Sequence, residues 1–325
     1  MSATVQNPGL LSLVVDNGRF GNRAFGVGPS GPLDSFAYEV GNYLAGNEEL
    51  MPAIEFFHPG PEITFHESAL ISVTGVGVAM LLNDREVFPW RPIEIPKNTT
   101  VRMFPTGQGS CGYIHIHGGW KAESWRGSHT TTLSIGLGGY QGRALKKGDV
   151  LEFIPTELSK NVQHLNWHVS EWELNEVYAD QKHICCVPGP ESVCFTKNQL
   201  DQFVSQRFQI RPNSNRMGYR LVGEALLLEK KIEMVSSAVD LGTIQVLPDG
   251  QLIVLMADHQ TTGGYPRLAS VVSPELPRLA QLGKQRDLYF SWCTTAMAYA
   301  LLAERNRRLK ELKNSCLLRL KPYLH

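Results

Sequence analysis

Short apolar runs separated by turn signals dominate this chain. Ile63 to Phe65, Ala69 to Thr74, Val78 to Leu82 ahead of Asn83-Asp84, and Gly112 to His117 are each of strand length. Turn residues recur every dozen positions or so, drawn from 30 glycines and 19 prolines. That spacing predicts a mainly β protein. Helical periodicity is confined to a few segments. Ser35 to Ala45 aligns Phe36, Val40, Tyr43 and Leu44, with Asp34 or Ser35 as N-cap. A shorter helix is expected from Lys197 to Phe203 behind a Thr196 cap. Near the C-terminus, Leu309, Leu312, Cys316 and Leu320 form an apolar stripe within Glu304 to Lys321, which holds seven Lys or Arg against two Glu. Two readings fit that stripe: a surface helix docked on its own protein, or a partner-binding helix.

At 325 residues there is length for two domains, each with its own core. The polar stretch from Glu157 to Asp180, with Trp167 and Trp172, separates two strand-rich runs. The expected division is therefore an N-terminal domain over 1–165, a second over 166–292 and a basic helix over 293–325. A faint echo between Leu145 to Phe153 and Leu282 to Phe290, each a Gly-containing basic turn before a short strand, is in keeping with two similar halves. Lys plus Arg and Asp plus Glu number 31 each, so no net field draws nucleic acid or an anionic membrane. No apolar run approaches the roughly 18 residues of a membrane span. Met1 to Gly9 lacks the basic and apolar regions of a secretory leader. Six cysteines without framework spacing suit reduced thiols, and a cytoplasmic location is expected.

The densest polar chemistry follows the apolar run from Gln251 to Met256. Asp258-His259-Gln260-Thr261-Thr262-Gly263-Gly264-Tyr265-Pro266 spends an acid, amide and hydroxyl groups and two glycines in succession. Such a segment is either a polar hairpin turn or a ligand-binding turn, since glycine lets main-chain N–H groups approach a ligand. Arg19, Arg126, Arg143 and Arg216 each stand beside or near glycines, where a guanidinium holds a carboxylate or phosphate, or tethers a loop. Among the acids, Asp34 serves as a helix cap, while Glu55 at a strand end is functional or salt-bridged. His115 and His117 alternate on a strand and so share a face, with His129 a conceivable third metal ligand. The expectation is nevertheless no metal. No Walker loop, nucleophile elbow or dinucleotide fingerprint is present.

The linear order of these segments resembles the allophanate hydrolase subunit 2 family, also described as the biotin-dependent carboxyltransferase family or the family of the 5-oxoprolinase C-type subunit. It is carried by Asp16-Asn17-Gly18-Arg19-Phe20-Gly21, Gly26 to Asp34, Ala53-Ile54-Glu55 with Gly60-Pro61, Arg126-Gly127-Ser128, Gly138 to Leu145, Ser214 to Leu221 and the turn itself. The resemblance implies closed cyclophilin-like β-barrels in both domains. It also implies carboxylation or activation of an amide or lactam nitrogen. Asp258, Arg216, Glu55 and Arg19 are then the catalytic candidates. Arg126, Ser128, Asn215, Tyr219, Gln245, Gln260, Thr261, Thr262, Gly263, Gly264 and Tyr265 are the substrate-binding candidates. The leading expectation is one component of an ATP-dependent 5-oxoprolinase, with ATP bound with or by a partner. Its partners would be a B-type 5-oxoprolinase subunit (allophanate hydrolase subunit 1-like) and an A-type subunit of the LamB/YcsF kind. One alternative is a carboxyltransferase acting on urea or another amide with biotin carried by a partner. Another is a non-catalytic antagonist of a kinase-inhibitor protein. Three departures from the family pattern stand out: Val15 replaces Gln, Asn215 replaces Asp, and His117 to Trp120 is bulkier than usual.

Overall fold

The computed structural model describes residues 1–107, 109–154, 167–179, 182–228, 234–283 and 286–324. The expected boundary at 165/166 and the basic turn at Lys284-Gln285 lie outside these residues. The chain is mainly β, and it divides into two compact units: residues 1–19, 34–177 and 306–325 form one, residues 20–33 and 178–305 the other.

The first unit builds its core between two sheets. One has six strands: β1 (Ser2–Asn7), β4 (Glu62–Phe65), β6 (Val78–Leu82), β7 (Arg85–Val87), β9 (Thr99–Pro105) and β11 (Val150–Glu152), in the order β11-β1-β4-β9-β6-β7. The other has five: β2 (Leu11–Val15), β3 (Ala53–Phe57), β5 (Ala69–Gly75), β8 (Ile93–Ile95) and β10 (Cys111–Ile116), in the order β2-β3-β10-β5-β8. Alternation sends Val5, Ile63, Phe65, Met80 and Val101 of the first sheet against Ile54, Phe56, Ile71, Val73 and Ile114 of the second. Asn83 and Asp84 take positive φ (45° and 65°) in the tight β6–β7 hairpin that their sequence signalled.

Helix α1 (Ser35–Leu44) covers the five-stranded sheet and starts as expected, with the Asp34 carboxylate accepting from the Ala37 N–H at 2.9 Å. Polar groups from the sheet hold it: Thr74 Oγ1 donates to the Ala37 carbonyl (2.8 Å) and Ser72 Oγ to that of Gly41 (2.6 Å). A short helix, α2 (Glu171–Tyr178), occupies part of the stretch read as a polar linker. Its propensity signal is weak. Glu171 and Glu173 favour its N-terminus, and Glu173 and Glu176 pair with Arg308 (3.6 and 3.5 Å) on a distant segment.

The second unit is a closed seven-stranded barrel. Its strands are β12 (His183–Pro188), β13 (Phe208–Ile210), β14 (Gly218–Val222), β16 (Thr243–Val246), β17 (Leu252–Leu255), β19 (Arg267–Val271) and β20 (Asp287–Trp292), ordered β12-β19-β16-β17-β14-β13-β20. β12 and β20 pair in parallel and close the ring, while the other neighbours are antiparallel. A separate two-stranded ribbon joins β15 (Ser237–Ala238) to β18 (Thr262–Gly263). Helix α3 (Lys197–Ser205) begins in a full capping box from Thr196 and Gln199, and its Phe203 stacks on Phe290 at 4.9 Å. Helix α4 (Leu276–Gln281) is short and proline-initiated.

Helix α5 (Thr295–Leu320) lies within the 293–325 expected for the basic helix and extends N-terminally beyond its apolar stripe. It gives residues 295–305 to the second unit and the rest to the first. Leu309, Cys316 and Leu320 are buried, so the stripe docks on the protein itself, with Leu320 packed on Leu70. Among the described residues no helix is long and apolar enough to cross a membrane.

Candidate functional site

In the second unit the chain leaves β17 and continues pairing through Met256 N–H to the Met217 carbonyl (3.1 Å) and Asp258 N–H to that of Arg216 (2.8 Å). This brings the Arg216 and Asp258 side chains together. The Arg216 Nε donates to Asp258 Oδ2 (2.8 Å) and its Nη2 to Oδ1 (3.0 Å), a two-pronged pair with Arg216 only 5% exposed. The same Nη2 donates to the Gly31 carbonyl (2.7 Å), and the Ser30 hydroxyl donates to Asp258 Oδ1. The pair thus ties the Ser30-Gly31 loop to the turn. His259 beside it is buried and kept neutral, its pKa pushed down chiefly by desolvation. Its Nδ1 lies 2.6 Å from the Gln260 carbonyl, which assigns the proton to that nitrogen.

A cavity of about 490 Å³ opens on the outer face of the barrel next to this turn. Its floor is a cross-strand row: Arg220 on β14 pairs with Ile253 on β17, which pairs with Gln245 on β16. Tyr219, Leu221, Leu252 and Val254 of the same strands alternate into the core. Asn213, Asn215, Gln260 and Tyr265 wall the cavity, and Asp249 is its one acid. The register slips by one residue where Gln245 meets β19, an irregularity of the kind that re-aims a side chain. Gln245 is 1% exposed, and its Nε2 donates to the Tyr265 carbonyl (3.3 Å). A Cβ at Gly263 would stand 2.5 Å from that Nε2 and force Gln245 to shift, whereas a Cβ at Gly264 would meet nothing closer than 3.5 Å. Asn215, in place of the family's Asp, caps its own turn by accepting from the Met217 N–H (2.8 Å).

Of the other candidates in this unit, Tyr219 points into the barrel core, its hydroxyl 3.4 Å from the Ala280 carbonyl. Thr261 and Thr262 belong to the ribbon with Ser237-Ala238, Thr261 by its carbonyl to the Val239 N–H. Ser30, Asn213 and Arg220 join the site without having been singled out. A signal for Arg220 existed, since it alternates with Tyr219 and Leu221 and so must face away from the core.

The first unit holds its own cluster. Asp16 accepts at Oδ1 from Ser128 Oγ (2.6 Å), Thr130 Oγ1 (2.7 Å) and Gly18 N–H (2.9 Å), and at Oδ2 from His129 N–H (2.5 Å). Burial alone would raise its pKa, but these donors outweigh burial and hold the carboxyl below its ordinary value. Arg19, 2% exposed, donates to Thr132 Oγ1 (2.6 Å) and the Thr130 carbonyl (2.5 Å) and lies over the Trp125 ring at 5.0 Å. Arg126, in the left-handed region at φ 50°, approaches the same ring at 5.7 Å. Ser128 therefore serves Asp16, and Arg19 braces the Thr130–Thr132 segment.

Glu55 sits elsewhere, fully buried, accepting from the Tyr113 hydroxyl (2.7 Å), which in turn accepts from the Asp34 N–H (2.8 Å). Burial and the Glu55 charge push the Tyr113 hydroxyl well above its ordinary value. Arg143 forms a two-pronged pair with Asp149 (2.7 and 2.8 Å). The three histidines go separate ways. His115 is fully buried against α1, His117 Nδ1 lies 2.9 Å from the Ala45 carbonyl, and His129 Nδ1 lies 2.9 Å from that of Ala122. Among the described residues no cluster of three or more His, Cys, Asp or Glu is placed to hold a metal ion.

A family model described as "Carboxyltransferase domain, subdomain A and B" matches residues 25–292. The chain belongs to this carboxyltransferase-domain family. The C-type subunit of 5-oxoprolinase from Haemophilus influenzae is 34% identical over 270 residues, covering 83% of this chain and 84% of that protein. Its Escherichia coli counterpart is 32% identical over 310 residues, covering 94% of this chain and 95% of its own length. Among solved structures, the K. lactis urea amidolyase matches with a TM-score of 0.85 and 27% identity over 96% of this chain. This family member spans only 20% of that larger chain.

Proposed function

We propose that this chain is the C-type subunit of an ATP-dependent 5-oxoprolinase, opening 5-oxo-L-proline to L-glutamate. The observation that carries the reading is the 32% identity along nearly the full length of a protein of that name. The cavity beside the Arg216–Asp258 pair supports it. Three exposed carboxamides, from Asn213, Asn215 and Gln260, offer both acceptors for a lactam N–H and donors for its carbonyl. One cation and one acid among the lining residues suit a small amide and do not fit a triphosphate, which calls for several cations or a nest of N–H groups.

We therefore assign ATP to a partner, where it activates the lactam carbonyl. This chain binds and orients the ring. The partners proposed are a B-type subunit, allophanate hydrolase subunit 1-like, and an A-type subunit of the LamB/YcsF kind. A cytoplasmic location goes with this assignment, in keeping with the absence of disulfides among the six cysteines.

The test is co-expression of the three proteins and an assay of ATP-dependent glutamate release from 5-oxoproline. Glutamate is expected only when this chain is present. Equal release without it would overturn the reading. A second reading, carboxyl transfer from carboxybiotin on a partner to urea, is favoured by the match to the K. lactis urea amidolyase. Bicarbonate-dependent urea carboxylation, with a biotin carboxylase and a biotin carrier supplied, separates it from the first.

A further inference from the structure

The outer-face cavity has a feature that an amide site alone does not require. Arg220 projects from its floor, with an exposed side chain that makes no ion pair with any described residue. The other arginines near the turn are engaged: Arg216 with Asp258, Arg23 with Asp240, and Arg267 with Glu191. The backbone of Arg220 is fixed on both sides. Its N–H donates to Ser214 Oγ (3.0 Å) and its carbonyl accepts from the Arg211 N–H (2.8 Å). Beside it on the same face the floor is tightly packed, since a Cβ on Gly218 would stand 2.8 Å from Ile253 Cδ1. Asp249, the cavity's one acid, lies beyond ion-pair distance of Arg220, and its Oδ1 accepts from the Gln251 N–H (3.0 Å).

An exposed guanidinium on a fixed backbone, facing a cavity walled by carboxamides, suits a planar anion attached to an amide. We propose that Arg220 is the carboxylate-recognising residue of this cavity. The site then selects small amides that carry one carboxylate over neutral amides. The choice of 5-oxoproline as probe rests on the lactam reading. The chemistry sought, one carboxylate beside one amide, does not depend on turnover. Asn213, Asn215 and Gln260 would hold the amide edge and Arg220 the carboxylate, so a neutral lactam or urea would leave the guanidinium unanswered. Arg220 is on this account a specificity residue that leaves the bond-breaking step to other groups.

The experiment uses the full chain and its Arg220→Gln and Arg220→Lys variants. Binding of 5-oxoproline and of neutral 2-pyrrolidinone is measured by titration calorimetry, and the KM and kcat of the three-protein complex are measured in parallel. The wild type is expected to bind 5-oxoproline at least roughly 10-fold more tightly than 2-pyrrolidinone. Arg220→Gln should remove that preference, with a 10- to 100-fold rise in KM, a smaller change in kcat and an unchanged melting midpoint; the range is about that of one charge-assisted contact. Arg220→Lys should restore part of it, because it keeps the charge and loses the two-pronged geometry. Retention of the preference in Arg220→Gln, or no preference in the wild type, overturns the proposal. A wild-type complex that binds 5-oxoproline selectively but releases no glutamate overturns the lactam reading and leaves this assignment standing.

Discussion

At the scale of single residues, the Arg216–Asp258 pair is the sharpest feature of the candidate site. Arg216 is buried and both Asp258 oxygens are engaged, so Asp258→Ala leaves a buried cation without its carboxylate. Removing one partner of such a pair costs about 3–5 kcal/mol. A loss of that size in urea denaturation is expected for Asp258→Ala, whereas Ser30→Ala should lose only about 1 kcal/mol. His115 supplies a pH prediction. Complete burial lowers its pKa to about 3 from an ordinary 6.5, so folding favours the neutral ring. Its contribution to stability is full above pH 6.5 and is lost as pH falls toward 3, because there the unfolded chain takes up the proton first. His58 and His259 shift in the same direction. Stability followed from pH 7 to 5 should therefore decline in the wild type and decline less steeply in His115→Gln. Equal slopes would remove His115 from the account. The sequence marked Arg216 and Asp258 as chemically interesting. Their mutual pairing is a contact across 42 positions, which no local pattern encodes.

At the scale of elements, α1 shows how far local rules reach. Its start at Asp34 and its apolar face followed from sequence. By propensity alone Gly41→Ala would stabilise its interior by about 1 kcal/mol. The fold reverses that sign, because a Cβ on Gly41 would stand 2.1 Å from the His115 ring. A net loss of about 1–3 kcal/mol is expected from such overpacking. The double variant Gly41→Ala with His115→Ala should recover part of it in the same denaturation assay. At α3 the local rule stands unopposed: Thr196→Ala removes the capping-box acceptor and should cost about 1 kcal/mol by thermal melting. α2 was missed because its distinguishing interactions, Glu173 and Glu176 with Arg308, come from α5. α5 falls within the expected 293–325, and its buried residues, Leu309, Cys316 and Leu320, are confined to the docked half.

At the scale of the whole molecule, the mainly β class and the order of family segments were legible along the chain. Period-two alternation decides which strand residues are buried, and turn residues decide where strands end. Closure of the second unit into a seven-stranded barrel follows from the parallel pairing of β12 with β20, strands roughly a hundred residues apart, and the resemblance alone pointed to it. The candidate site divides in the same way. The sequence by itself determined the strands, the caps, the family and the residue types available for chemistry, because these depend on neighbours within a few positions. Only the tertiary structure decided that Tyr219 fills the core, that Ser128 serves Asp16, and that Arg220, Ile253 and Gln245 form one floor. Burial and partnership are set by strand register and long-range packing, and one residue of slippage would turn Tyr219, Arg220, Ile253 and Gln245 to the opposite face.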